Sequence, residues 1–114
     1  MNITLKHIGK SAEDLRFFIL KDGAHAGGVS VHSIGRTPEG ASFSYGVAVT
    51  ETKRRQGVAR TALPLLFAYM KKRGFTRVFV QVDPQNAASL ALHRALGFAE
   101  TGRNDRAVTL MKLL

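Results

Sequence analysis

The residues best placed to do chemistry fall in two short stretches. The first, VTETKRRQGVARTAL, runs from Val49 to Leu63 and sets three consecutive cations, Lys53, Arg54 and Arg55, just ahead of Gly57. Ala59 and Arg60 follow. A glycine where a loop enters a helix lets backbone approach an anion closely, and the first amides of a helix have no partners within it. The helix dipole adds to their pull, and Arg54, Arg55 and Arg60 offer charge-assisted hydrogen bonds, so the pattern suits a phosphate. Taken alone, the same stretch also reads as a solvated basic turn. Rival phosphate motifs fail: Gly9-Lys10-Ser11 looks like the end of a P-loop, but Thr4 stands where its first glycine belongs, and the loop holds no G-x-G-x-x-G.

The second stretch is NAASLALHRALGF, Asn86 to Phe98. On a helix, Asn86 and His93 lie two turns apart, about 10 Å along one face, with Ser89 and Leu90 between them. Ala88, Ala91, Leu92 and Ala95 then form the opposite stripe, which is expected to face the core. Asn86 is equally suited to capping the helix. His93 either moves a proton or packs. His7, His25 and His32 lie in strand-like segments and read as surface or structural residues.

The elements that must hold these stretches follow from periodicity. ITLKHI (Ile3–Ile8) alternates apolar and polar residues as a half-buried strand does. Arg16–Lys21, a turn at Asp22-Gly23 and a strand continuing to Ile34 make a hairpin. Pro38 and two glycines mark Gly35–Gly40 as a loop. Phe43, Tyr45, Val47 and Val49 share one face of a fourth strand. Beyond the basic loop, Val58, Ala62, Leu66 and Met70 recur at fourfold spacing on a helix that ends near Gly74, with a kink expected at Pro64. Thr76–Val82 is a strand reached by a crossover, hence parallel to its neighbour. Asp83-Pro84 opens a second helix that Gly97 closes, and Val108–Leu114 is a last strand. One domain over residues 1–114 is expected: an α/β (α+β) fold with a mixed, largely antiparallel sheet and two main helices.

Composition narrows the chemistry. Cysteine is absent, which excludes disulfides, thiolate metal sites and a Cys nucleophile. No apolar run approaches a membrane span and Met1–Lys10 has no signal-peptide core, so a cytoplasmic protein without a membrane partner is expected. The net charge is +9, and no Asp or Glu interrupts the eight cations between Lys53 and Arg77. Such a field favours a polyanion: nucleic acid, a membrane surface or a phosphate-rich cofactor.

Together the two stretches resemble the GNAT superfamily of acetyl-CoA-dependent N-acetyltransferases. Its cofactor loop, [Q/R]-x-x-G-x-[G/A], is matched by Arg54, Gly57 and Ala59. Its later motif is matched by Asn86, Ser89, Leu92, Gly97 and Phe98, with His93 in place of a Tyr. The resemblance implies a GNAT-like acyl-CoA N-acyltransferase fold and acetyl-CoA as donor, with no metal. The pantetheine arm would pair with Val47, Ala48 and Val49, and the pyrophosphate would rest on the amides of Arg55, Gln56, Gly57, Val58, Ala59 and Arg60, with Arg54 beside them. Asn86 would bond the arm near the thioester, and His93 would return a proton to the departing thiolate as general acid. The family's Glu bases are missing: Phe43 and Gln81 stand at the corresponding positions. Also missing are its helices between the first two strands, since about seven residues, Gly9–Leu15, lie there. An open acceptor side follows, covered by a macromolecular amine or by a second subunit in a homodimer. The acceptor is a protein amine, an amino acid or an aminoacylated RNA. The alternatives are a small basic nucleic-acid-binding domain and a non-catalytic acyl-CoA-binding module.

Overall fold

Alternating burial sets four consecutive strands into an antiparallel meander: β1 (Ile3–His7), β2 (Arg16–Lys21), β3 (Ala24–Thr37) and β4 (Gly40–Val49). The computed structural model describes residues 1–114, apart from the side chain of Ser33. The β2–β3 turn is built on Asp22 and Gly23, both left-handed (φ 51° and 84°), the backbone that a two-residue hairpin requires. The segment expected as a loop from Gly35 to Gly40 is instead mostly strand. Thr37 pairs with Gly40 around a two-residue turn, because backbone pairing extends through glycine when the partner strand continues.

Between β1 and β2 no helix forms. Asp14 clips the connection, accepting from the Lys10 amide at 3.0 Å and from the Arg16 guanidinium at 2.7 Å. Gly9 is required there, since a Cβ on it would sit 1.7 Å from the Asp14 carbonyl oxygen.

Helix α1 (Val58–Lys72) crosses from β4 to β5 (Phe75–Val82), which lies parallel to β4. It runs unbroken through Pro64. That residue is exposed, so the Arg60 carbonyl that loses its partner faces water. Helix α2 (Ala87–Ala95) starts later than expected. Asp83 to Gln85 form a turn, with the Asp83 carboxylate accepting from the Gln85 amide at 2.8 Å, and Asn86 is the cap. Gly97 (φ 95°) ends it as expected. A strand not anticipated, β6 (Ala99–Arg103), pairs with β7 (Val108–Leu113); exposed throughout, it has no apolar alternation to read.

The seven strands form one sheet in the order β1-β2-β3-β4-β5-β7-β6, antiparallel everywhere except at β4–β5. Phe43 and Tyr45 of β4 pack with Leu63, Leu66, Phe67 and Met70 of α1, and with Leu90 and Phe98 around α2. Both helices therefore cover one face. On the other face the alternate positions of β4 are Ser42, Ser44, Gly46 and Ala48, and among the described residues no helix covers them.

Candidate functional site

The site begins where the parallel pair comes apart. β4 and β5 pair from Ala41–Phe75 to Ser44–Phe79, with one register shift between Ala41 and Ser42, and then diverge. Val47, Ala48 and Val49 remain bonded to β3 on one edge only, facing Val29, Gly28 and Gly27. Their other edge offers backbone donors and acceptors to an extended ligand.

The loop that follows makes a single 3-10 turn (Glu51–Lys53), and its backbone then twists. Arg55 (φ 62°) and Gly57 (φ 76°) are both left-handed, and Gly57 caps α1 without any side-chain bond. Among the described residues no acceptor satisfies the amides of residues 55 to 60; Thr61 is the first to donate, to the Gly57 carbonyl at 3.1 Å. No acidic residue occupies the first turn of α1. Unpaired amides at a helix N-terminus, with a left-handed glycine, form a cradle for an anion. A groove of about 420 Å³ runs from this cradle to α2, lined by Arg54, Arg55, Ala59, Arg60, Ala88 and Leu92 among others.

Not every expected residue points into that groove. Val49, Gly57 and Val58 reach it along with the arginines, whereas Gln56 is tied outside it, bonded to Lys21 and to the Thr52 carbonyl. Arg54 also steadies the loop, its Nε donating to the Val49 carbonyl at 3.1 Å. Val47 and Ala48 line a cavity on the helix-free face. The Asn86 side chain accepts from the Ser89 amide at 3.1 Å as the α2 cap. Lys53, Ala88, Ser89 and Leu92 line the groove without having been expected there.

The reason lies in the facing of α2. Leu90 and His93 are its buried residues, while Ala88, Ala91 and Ala95 are exposed, the reverse of the expected orientation. His93 is only 3% exposed, yet fully satisfied. Its Nδ1 donates to the Ser89 carbonyl at 2.8 Å, which leaves Nε2 to accept from the Tyr45 hydroxyl at 2.7 Å. Phe98 stands edge-on to the ring at 5.1 Å. A helical histidine with both nitrogens bonded is as compatible with a core as leucine is. Burial holds its pKa below 6.5, a shift that the Ser89 carbonyl partly opposes, and burial also pushes the Tyr45 phenol well up. Tyr45 is a site residue that strand alternation alone marked as core.

Through the divergence, Tyr45 also borders a second cavity, about 570 Å³, on the helix-free face, with His32, Ser42, Ser44, Phe79 and Gln81. Groove and cavity thus lie on opposite sides of the sheet, the cavity bordering the place where β4 and β5 part. The arrangement can hold a phosphorylated carrier on one side and present its end to a second molecule on the other.

Fold and site together define an α/β domain with an anion cradle beside a parted parallel strand pair. The chain belongs to the acetyltransferase (GNAT) family, whose model matches residues 3–98. It is 38% identical over 56 residues to a ribosomal protein bS18-alanine N-acetyltransferase of Escherichia coli, covering 49% of this chain and 38% of that one. It is 37% identical over 62 residues to an aminoglycoside N(6')-acetyltransferase of Serratia marcescens, covering 54% and 42% respectively. The chain thus spans about two fifths of the length of these relatives. A ribosomal L7/L12 alpha-N-protein acetyltransferase solved with coenzyme A superposes with a TM-score of 0.76 at 20% identity, over 87% of this chain and 61% of that one, a likeness of fold.

Proposed function

We propose that this protein moves an acetyl group from acetyl-CoA to the α-amine of a protein chain. The observation that carries the reading is the parting of β4 and β5 beside a cradle of unpaired amides. The loop amides from Arg55 to Arg60 receive the pyrophosphate, with Arg54, Arg55 and Arg60 around it. The free edge of Val47, Ala48 and Val49 pairs with the pantetheine amides, and Asn86 borders the arm from the cap of α2. Gln56 contributes its backbone, since its side chain is held outside. Acetyl-CoA supplies an activated thioester, and an amine attacking from the helix-free face forms the amide bond as the C–S bond breaks. His93 returns a proton to the thiolate through the Tyr45 hydroxyl, which lies 2.7 Å from its Nε2.

Acceptor chemistry separates the candidates that the relatives suggest. A polycationic aminoglycoside needs carboxylates around it, and neither cavity on the helix-free face is lined by Asp or Glu. The uncovered strands instead suit an extended peptide end. The same face is where a second copy would dock. Its β4 positions, however, are small or polar, and Phe18, 39% exposed, is the most exposed large apolar residue lining it.

The test has two readouts. Acetyl-CoA should raise the melting temperature, and Gly57→Glu should abolish that rise by placing a carboxylate and a strained residue in the cradle. Mass spectrometry should then show acetylation of a peptide that begins with alanine. A wild type that ignores acetyl-CoA but binds RNA with a steep salt dependence would return the nucleic-acid reading. Binding without any transfer would favour a non-catalytic module.

A further inference from the structure

The positions at which the family's carboxylate base would stand are Phe43 and Gln81, so the proton on the incoming ammonium needs another acceptor. We propose that His32 is that acceptor, which makes it a catalytic residue of the amine side; the inference rests on the acetyl-transfer reading above.

Three observations place it. β3 carries an irregularity in its register with β4 between Val31 and Ser33, and His32 is the extra residue. Such bulges re-aim side chains next to active sites. The ring lies across Gly46 on the helix-free face, so close that a Cβ on Gly46 would be 2.5 Å from His32 Nε2. Gly46 lies two residues past Ser44, the last position of β4 paired to β5, so the imidazole stands at the mouth of the opening. Finally, His32 is exposed and lines both cavities of that face.

Elimination strengthens the placement. Among the residues lining the cavity that reaches the opening, only His32 and Tyr45 are titratable, and the Tyr45 hydroxyl is engaged with His93. Among the described residues nothing hydrogen-bonds the His32 ring, so its lone pair is free. Of the elements around it, β4 faces it with Ser42, Ser44 and Gly46, β5 with Gln81, and β7 with Thr109. β2 brings Arg16, whose charge is matched by Asp14 at 2.7 Å. No carboxylate competes for the proton.

The step balances. Neutral His32 takes one proton from the R–NH₃⁺ acceptor, the freed amine attacks the thioester carbon, the N–C bond forms and the C–S bond breaks. The thiolate takes a proton from the His93 side, and His32 releases its own to solvent.

The experiment compares wild type with His32→Gln, using acetyl-CoA and the alanine peptide. Both proteins should show the same acetyl-CoA melting shift, since His32 lies across the sheet from the groove. The expected loss is about 10²-fold in kcat, the lower end of general-base contributions. With the acceptor amine's own titration divided out, the remaining fall of kcat in acid should disappear in His32→Gln. His32→Glu, which restores a proton acceptor, should recover part of the rate and move that fall to lower pH. An unchanged kcat and an unchanged acid limb in His32→Gln overturn the role of His32 alone. A wild type that binds acetyl-CoA and transfers to no amine overturns the acetyl-transfer reading and this role together.

Discussion

Both nitrogens of the buried His93 ring are bonded, and that single fact governs what its removal does. Acting as acid through Tyr45 requires the imidazolium, and burial lowers that pKa below 6.5. With the amine's own titration divided out, turnover should therefore decline as pH rises. His93→Phe should cut kcat more than it weakens acetyl-CoA binding, a comparison that steady-state kinetics and calorimetry settle. If kcat is unchanged, the ring only positions Tyr45. The same substitution leaves the Tyr45 hydroxyl without its partner in the core, at a cost of about 1–3 kcal/mol in urea unfolding. Linkage gives a further sign: the folded-state pKa lies below the unfolded one, so the stability from neutral His93 is present above about pH 6.5 and is lost as pH falls. The melting temperature of wild type should drop between about pH 7 and 5, and less so in His93→Gln. Which way His93 points was not legible. The small residues Ala88, Ala91 and Ala95 read as an apolar stripe, but Leu90 buries more surface than any alanine, and Tyr45 satisfies the imidazole from another strand.

At the scale of elements, motifs with local causes were readable and those with partners far along the chain were not. The left-handed Gly57, the Asp22-Gly23 turn and the Gly97 stop follow from backbone sterics of a few residues. The strand extension through Gly35–Thr37 and the exposed strand β6 exist because a neighbour offers a ladder, which no local composition announces. Pro64 lies inside α1 without ending it: packing of Leu63, Leu66 and Phe67 holds the helix together across it. Pro64→Ala restores a donor to the Arg60 carbonyl without touching the core, and should raise the urea midpoint by about 1–3 kcal/mol of stability. The Asp14 clip gives another acid dependence. Its carboxylate is held well below the usual range, chiefly by the Arg16 guanidinium and then by the Lys10 amide. What it contributes is present above about pH 4 and fades as pH falls further, a loss that Asp14→Asn should show already at pH 7 by faster amide exchange in Gly9–Leu15.

For the molecule as a whole, the basic field divides. Lys53 to Arg60 surround the anion cradle, whereas Lys71, Lys72 and Arg73 end a helix of fifteen residues, about 22 Å away. At that distance and ordinary salt the far group is screened. Arg60→Gln should weaken acetyl-CoA binding several-fold by calorimetry, while Lys71→Gln with Lys72→Gln should change it by less than about twofold at 0.15 M salt. The count of charges was plain in the sequence; their separation needed the direction of α1. The missing helices between β1 and β2 were also plain, but the nature of the surface they leave was not. The homodimer expectation assumed an apolar face. Light scattering at high protein concentration checks it, and a monomer would leave a peptide acceptor as the natural cover of those strands.

Tyr45 has one more consequence. The chain contains no tryptophan and two tyrosines, and the other, Tyr69, lies on the partly exposed side of α1 beside Arg73. Ultraviolet emission of this protein is thus tyrosine emission, with one of its two emitters standing at the opening and hydrogen-bonded to an imidazole. A ligand threading between β4 and β5 changes the surroundings of that phenol directly. With Tyr69→Phe as background, the fluorescence of Tyr45 becomes an unlabelled optical gauge of occupancy, fast enough for stopped-flow measurement of how the carrier enters and leaves.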